Sequence, residues 1–154
     1  MPPGVVALIV ALAVAVAAGL AWRATNGRMR AAAAPDDAAR AAGRPGEPAA
    51  NPGPMITSAE LGLPLGERAT LVQFSTAFCA PCRATRRILA EVAGMTDGVA
   101  HVEIDAESHL DLVRRLDIRR TPTVLVVGPD GRIAKRASGQ PRKADVIAAL
   151  SDVC

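Results

Sequence analysis

The pattern of apolar and polar positions divides the chain into three segments of different character. Residues 5–22 are an almost unbroken run of Val, Ala, Leu and Ile, and no charged side chain precedes Arg23. A run of roughly eighteen or more apolar residues is long enough to cross a bilayer as a helix. Trp22 followed by Arg23 is typical of the interfacial end of such a helix. The pattern therefore predicts a transmembrane anchor over residues 1–22.

A cleaved signal peptide is the alternative interpretation of this run. Residues 15–17, Ala-Val-Ala, resemble a cleavage site, but no Lys or Arg precedes the run and the run is long for a signal. We therefore expect an uncleaved, single-pass anchor in the cell membrane. The positive-inside tendency predicts a cytoplasmic domain, with an extracytoplasmic one as the alternative, because several arginines follow the span and none precedes it. These are Arg23, Arg28, Arg30, Arg40 and Arg44.

The second segment, residues 23–54, is rich in Ala, Pro, Gly and Arg and has no apolar periodicity. This composition predicts a disordered tether with transient helicity around residues 36–42. We interpret it as a spacer between the anchor and the C-terminal part of the chain.

The third segment, residues 55–154, has the patterns of a domain in which strands and helices alternate. Thr57 and Glu60 form a capping-box pattern that can open a helical turn. Strands are predicted at 69–75, 99–106, 123–127 and 132–138, and helices at 80–93, 107–116 and 143–153. We expect Leu110, Val113, Leu116, Val146, Ile147 and Leu150 to face inward on the last two helices. A βαβ unit followed by a ββα unit gives an α/β fold with a central mixed sheet flanked by helices.

Composition excludes one class of partner. The net charge is only +3, and the chain has no Tyr, two Phe and one Trp, so it lacks the aromatic platforms on which nucleic-acid bases stack. A domain of about 100 residues buries a core without cross-links. Three cysteines, two of them in one short motif, leave no structural disulfide framework. The third, Cys154, is interpreted as a bystander thiol at the end of a helix.

The motif with the clearest chemistry is Cys79-Ala80-Pro81-Cys82, between a predicted strand and a predicted helix. Pro81 suits the first helical turn, where unpaired N–H groups and the helix dipole stabilise an anion. Cys79 should therefore ionise more easily than an ordinary thiol and act as a nucleophile, with Cys82 one turn away as the resolving thiol. The alternatives are inert thiols or a zinc site with His101 and His109, whose spacing fits no common zinc finger.

Taken together, these motifs resemble the thioredoxin family. The active-site segment matches around Cys79 and Cys82, residues 102–105 match the family's central strand, and residues 120–126 match the loop and strand that carry its cis-proline. Residues 128–132 match its hairpin, and Gly139 precedes the last helix. The resemblance covers roughly residues 55–154.

The resemblance implies that Pro122 is the family's cis-proline, which turns the Thr121 backbone toward the cysteine pair to bind an incoming peptide as a strand. The alternative is a proline that only opens a strand. Further substrate contacts are expected from Phe78, Ala80, Pro81 and Gly139. Ser75 and Phe78 stand where the family has tryptophans, and we expect Phe78 to shield the pair.

One departure concerns proton transfer. Where the family places a buried aspartate that helps the second cysteine lose its proton, this chain has Gln73, which takes no proton at physiological pH. The lysine that partners that aspartate is replaced by His101. Our hypothesis is that His101, or water held by Gln73 and His101, accepts the proton of Cys82. The alternative is that His101 is a half-exposed strand residue.

The resemblance implies a thiol–disulfide oxidoreductase of the protein-disulfide reductase type, and the apolar run adds a membrane tether. It implies no cofactor or metal beyond the redox-active Cys79–Cys82 disulfide, protein disulfides as substrates, a thioredoxin reductase or membrane electron donor, and a monomer. Ala80-Pro81 resembles reducing members, whereas Thr121 does not, so the direction of the reaction stays open. One alternative is an outward-facing reductant for cytochrome c maturation or envelope proteins, and another is a non-catalytic binding module.

Overall fold

The computed structural model describes residues 3–32 and 54–153. The described helices are α1 (Pro3–Thr25), α2 (Ser58–Leu61), α3 (Ala80–Gly94), α4 (Leu110–Arg115) and α5 (Lys143–Ser151). The described strands are β1 (Arg30–Ala31), β2 (Ala69–Ser75), β3 (Val99–Asp105), β4 (Thr123–Val127) and β5 (Ile133–Ser138). β2 and β4 begin and end where the apolar runs predicted.

The strands form one mixed sheet in the order β1-β5-β4-β2-β3. β2 runs parallel to β3, with Gln73 opposite Glu103, and antiparallel to β4, with Phe74 opposite Thr123. β4 pairs antiparallel with β5. The parallel pair requires a crossover, which α3 provides, whereas β4 and β5 are joined by a short turn. The predicted mixed sheet flanked by helices is therefore confirmed.

Helices cover both faces of the sheet. On one face, side chains such as Phe74 and Ile104 pack with Leu112 and Leu116 at the α4 end of the domain. On the other, Leu71 and its strand neighbours pack with buried residues of α3 and α5, among them Leu89 and Val146. All of β2 and β4 is buried, as expected for central strands covered on both faces.

Two predicted helix faces differ from the structure. Leu110 is 51% exposed whereas Leu112 is 7% exposed, and Ile147 is exposed whereas Ala149 is buried. α4 spans only Leu110–Arg115, rather than the predicted 107–116. Because a short helix presents its inward side chains over little more than one turn, its starting residue determines which leucine faces the core.

The segment after the apolar helix also differs from the expected tether. α1 continues to Thr25, and β1 pairs antiparallel with β5, with Arg30 opposite Arg136. Met29 and Ala32 pack against the two core clusters. This segment is ordered because its backbone completes the edge of the sheet, a signal that composition does not carry. The rest of the predicted tether, including the helicity around 36–42, lies outside the described residues, as does Cys154.

The assignment of α4 can be tested with two leucines on the same helix. We expect Leu112→Ala to lower the free energy of unfolding by about 2–5 kcal/mol, since it leaves a cavity in the core. Leu110→Ala, at an exposed position, should change it by about 0.5 kcal/mol or less. Chemical denaturation of the full chain in detergent measures both values. A larger loss for Leu110→Ala would contradict the assigned face.

Candidate active site

Cys79 lies where the chain leaves the sheet and begins helix α3. β2 ends at Ser75, and a turn in which the Cys79 N–H donates to the Thr76 carbonyl (3.3 Å) leads to the helix. Cys79 is the N-cap residue, and its sulfur accepts the backbone N–H of Cys82 at 3.2 Å. The sulfur thus occupies the position at which a helix start stabilises negative charge.

Cys79 and Cys82 are joined in a disulfide across the first helical turn. Their sulfur atoms are 2.00 Å apart and their Cα atoms 5.2 Å apart. Cys82 is only 2% exposed, whereas Cys79 is partly exposed. The Cys79 sulfur is therefore the one that an incoming thiol or disulfide can reach.

A second loop lies beside the cysteine loop. The Thr121–Pro122 peptide bond is cis, and the hydroxyl groups of Thr121 and Thr76 are 3.2 Å apart, within hydrogen-bond distance. The Pro122 carbonyl accepts the N–H of Gly139 at 2.7 Å. Thr121, Pro122 and Gly139 are thus brought to the same end of the sheet as the cysteine pair.

Gln73 is buried in β2 and contacts the backbone of Cys82 through its side-chain amide. Its Nε2 donates toward Ser75 Oγ (2.7 Å), the Cys82 carbonyl (3.0 Å) and Glu103 Oε1 (3.3 Å). The carbonyl and the carboxylate are acceptors only, so they fix which end of the amide points toward them. Gln73 therefore connects Cys82 to a carboxylate on the neighbouring strand.

That carboxylate, Glu103, is the functional candidate that the sequence reasoning missed. It lies opposite Gln73 in the parallel register and also forms a bidentate ion pair with Arg86, at 2.6 and 2.8 Å. Cys79, Cys82, Arg86 and Glu103 line one open pocket of about 400 Å³. A usable signal was available, because pairing the two predicted parallel strands places this acid beside Gln73.

The charge state of Glu103 follows from its neighbours. Burial raises the pKa of the Glu103 carboxyl, but hydrogen bonds from Arg86 and Ser75 and the positive charge of Arg86 together outweigh burial and leave the pKa lowered. The group is therefore a carboxylate at neutral pH. The pocket beside Cys82 thus contains an anionic acceptor of hydrogen bonds and protons.

His101 lies two residues before Glu103 on β3, opposite Leu71 of β2. It does not line the pocket that contains Cys82, and its buried Nε2 has no hydrogen-bond partner among the described residues. Glu103, and not His101, contacts Gln73 in this geometry, and proton transfer through His101 stays a prediction. His101 itself is a partly buried residue of β3.

Phe78 also differs from expectation. Its side chain is 100% exposed, so it does not shield the disulfide. Ala80 and Pro81 are exposed beside it in the first turn of α3. The rim of the site around Cys79 is therefore apolar at these three positions. Their assignment as substrate contacts stays a prediction.

A cysteine pair bridged across a helix start, at the end of a mixed sheet with helices on both faces, defines a thioredoxin-like protein with a redox-capable disulfide. A family model described as Thioredoxin matches residues 63–152. The chain belongs to the thioredoxin family, which confirms the resemblance found in the sequence.

Individual relatives agree with this assignment. The chain is 28% identical to thioredoxin H5 of Oryza sativa subsp. japonica over 72 residues, 47% of this chain and 53% of the relative, so it spans about half the length of that curated relative. It is 29% identical to the solved chloroplastic thioredoxin z, covering 56% of this chain and 79% of that one with a TM-score of 0.51. Oxidised mitochondrial thioredoxin 3 of Saccharomyces cerevisiae, at 19% identity, 56% and 79% coverage and a TM-score of 0.50, shares the fold.

His101 predicts a particular dependence of stability on pH. Burial lowers the pKa of the His101 imidazole, and the positive charge of Arg86 lowers it further. The negative charge of Glu103 acts in the opposite direction, but the pKa stays lowered. As the pH falls below about 6.5, the imidazole takes a proton in the unfolded chain before it does so in the folded protein, so stability declines. We expect His101→Gln to weaken this decline between about pH 7 and about pH 5.

The measurement is the free energy of unfolding of the full chain at each pH. His109→Gln, at an exposed position, is the matched control for loss of an imidazole. An unchanged slope in His101→Gln would show that the buried ring does not remain neutral in the folded state.

Proposed function

We propose that the protein is a membrane-tethered thiol–disulfide oxidoreductase that exchanges electrons with protein disulfides through Cys79 and Cys82. The observation that carries this proposal is the position of the Cys79 sulfur, which accepts the Cys82 N–H at a helix start while it is bonded to the Cys82 sulfur. In the reduced form the same N–H group stabilises a thiolate on Cys79, and the thiolate is the attacking species in disulfide exchange.

In the first step, the Cys79 thiolate forms a bond to one sulfur of the substrate disulfide. The substrate S–S bond breaks, and the departing sulfur leaves as a thiolate that takes a proton from solvent. The product is a mixed disulfide on the exposed cysteine of the pair. Cys82, which is buried one turn further on, is positioned to attack this bond from inside.

In the second step, Cys82 loses its proton and attacks the Cys79 sulfur, which releases the second substrate sulfur as a thiolate. The Cys79–Cys82 disulfide forms, and two electrons have passed to the substrate. Glu103 is the proton acceptor in this proposal, because its carboxylate is ionised, lines the pocket with Cys82 and contacts Gln73. Gln73 positions the Cys82 backbone and the carboxylate relative to each other.

Substrate binding is proposed at the loops that flank Cys79. The partly exposed Thr121 lies within hydrogen-bond distance of the cysteine loop, where its backbone can pair with an extended peptide. Pro122 and Gly139 hold that loop in place. Phe78, Ala80 and Pro81 supply the exposed apolar rim.

We propose reduction of substrates as the direction, on the likeness of the Ala80-Pro81 dipeptide to reducing family members. Electrons then reach the pair from a thioredoxin reductase or a membrane electron donor, and the protein acts as a monomer without a further cofactor. The reduction potential of the pair tests this direction, since about 30 mV corresponds to about 1.4 kcal/mol for such a couple.

Membrane attachment is proposed through α1. This helix is long and apolar enough to cross a bilayer, and none of its residues is buried against the domain. A bilayer would remove this apolar surface from water. The arginines that follow α1 favour a cytoplasmic domain. Labelling of reduced Cys79 in intact cells by a membrane-impermeant thiol reagent would instead support the outward-facing alternative.

Substitution of the two cysteines separates their roles. We expect Cys79→Ser to abolish catalysed reduction of insulin by dithiothreitol, because the accessible sulfur of the Cys79–Cys82 pair is lost. Cys82→Ser should accumulate a mixed disulfide with insulin, because the resolving thiol is missing. Cys154→Ser is the control and should keep full activity. A full chain that does not accelerate insulin reduction would favour the non-catalytic binding module.

Glu103→Gln tests the proton acceptor. Loss of the carboxylate should slow resolution of the mixed disulfide by about 10²-fold, the lower end of the range for a general base, and should move its pH–rate profile to higher pH. Asp105→Asn, at an exposed carboxylate that lines the same pocket, is the matched control. Rapid-quench kinetics resolve this step. If both variants resolve at the wild-type rate, Glu103 does not accept the proton.

A further inference from the structure

The segment that follows α1 binds the outer edge of the sheet in a fixed register. The Gly27 N–H donates to the Ser138 carbonyl at 2.9 Å, and the Ala32 N–H donates to the Ala134 carbonyl at 3.1 Å. Between them, Arg30 lies opposite Arg136. The segment from Gly27 to Ala32 therefore lies along β5 and includes the two-residue strand β1.

The register shows at which end of the sheet α1 arrives. Moving back from Ala32 to Gly27 leads toward Ser138, the carboxyl end of β5. Ser138 lies opposite Thr123, which lies opposite Phe74 near the carboxyl end of β2. The cysteine loop follows from that end of β2. The carboxyl end of α1 and the cysteine pair thus lie at the same end of the sheet, where β2 and β5 finish.

Contacts at this end of the sheet connect α1 and the residue after it to the loops of the site. A Cβ on Gly139 would lie 2.2 Å from Asn26 Oδ1, so Asn26 packs directly on the residue whose N–H binds the Pro122 carbonyl. The last turn of α1 faces α3 and the segment after β5 across one cavity. Its lining includes Leu20, Arg23, Ala24, Ile88, Gln140 and Pro141.

Gly27 makes this docking specific. Its φ is +75°, a conformation that favours glycine, and a Cβ there would lie 1.9 Å from the Gln140 carbonyl oxygen. Met29, which is partly buried, then packs against the core cluster on the α3 side of the sheet. A flexible tether would need neither the unusual backbone nor the close approach.

At the same end of the sheet, positively charged side chains and an exposed aromatic side chain suit contact with a bilayer surface. Arg28, Arg30 and Arg120 line a depression beside Thr25, the last residue of α1, and arginines next to a membrane span are attracted to anionic head groups. The fully exposed Phe78 is on the cysteine loop at this end. Aromatic side chains are enriched at the head-group level of membranes.

We propose that the end of the sheet that carries Cys79 and Cys82 faces the bilayer. The partners are then membrane-integral proteins whose reactive cysteines lie at the bilayer surface. The inference rests on the proposed membrane anchoring and disulfide exchange. In each turnover Cys79 bonds to one partner sulfur, the partner S–S bond breaks, and attack by Cys82 releases the partner dithiol. Two electrons pass from the pair to the partner, or from a partner dithiol to the pair in the reverse direction.

The first experiment measures orientation without requiring activity. The full chain carrying Cys82→Ser and Cys154→Ser is spin-labelled at Cys79 in vesicles of equimolar phosphatidylcholine and phosphatidylglycerol that contain a nickel-chelating lipid. Nickel at the bilayer surface speeds the relaxation of a nearby spin label. We expect this effect to be stronger for the label at Cys79 than for a label at Asp97→Cys, introduced into a chain whose native cysteines are all replaced by serine. Asp97 is exposed in the loop before β3, at the opposite end of the sheet. Equal relaxation at the two positions would overturn the proposal.

The second experiment measures selectivity in the same vesicles. Two single-span peptides carry the same disulfide loop, one directly at the bilayer surface and one beyond a helical spacer of about 30 residues, roughly 45 Å long. We expect the wild-type chain to reduce the near disulfide at least about tenfold faster, because both reactive groups are confined to one surface layer. Equal rates would overturn the proposal.

Two glycine variants test whether the docked strand causes this selectivity. Gly27→Ala should detach the strand and bring the ratio of near to far rates close to one, while insulin reduction stays at the wild-type rate. Gly19→Ala is the matched control, because a Cβ there meets no atom within 4 Å, and it should keep the ratio. Retained selectivity in Gly27→Ala would overturn the role of the docked strand.

The two proposals can fail separately. If the full chain does not reduce insulin, disulfide exchange is wrong as the function, and the spin-label comparison still decides the orientation. If insulin is reduced but Cys79 relaxes no more than the Asp97 position, the function stands and the bilayer-facing site is wrong.

Discussion

The point at which helix α3 begins is the constraint on which the site depends. β2 is buried along its whole length and held between β3 and β4, so the chain leaves the sheet at a defined position. Cys79 caps the helix with its own sulfur, and Cys82 falls one turn later against the buried Gln73. The core therefore determines the reactivity of a surface atom, because it fixes where the helical N–H groups point.

The proposed proton acceptor lies on β3 and not on β2. In this chain the buried position on β2 is an amide, and the carboxylate stands beside it on β3, where Arg86 keeps it ionised. Neighbouring strands of a parallel pair place side chains of one face next to each other, so either strand can supply a group to the same pocket. The Gln73 amide donates a hydrogen bond to the Cys82 carbonyl. An ionised carboxylate has no hydrogen to donate and could not hold the Cys82 backbone in this way.

Local patterns in the sequence predicted the central strands, the cysteine pair and the capping box at Thr57, since each depends on neighbours a few residues away. Glu103 was missed because its role depends on register across two strands. The inward faces of the short helices were partly wrong, because Leu110 and Leu112 are equally apolar and only packing distinguishes them. The docked strand at Arg30 was missed for a similar reason, since two residues carry no periodicity and pair only with a distant β5.

That strand also determines how the domain behaves when it is cut from its anchor. β1 covers the outer edge of β5, and an uncovered edge presents a row of unpaired N–H and C=O groups to other molecules. A fragment that begins at Pro54 exposes this edge, whereas a fragment that begins at Asn26 carries its own cover. Resistance of the excised domain to aggregation thus depends on residues that, by composition alone, belong to the spacer.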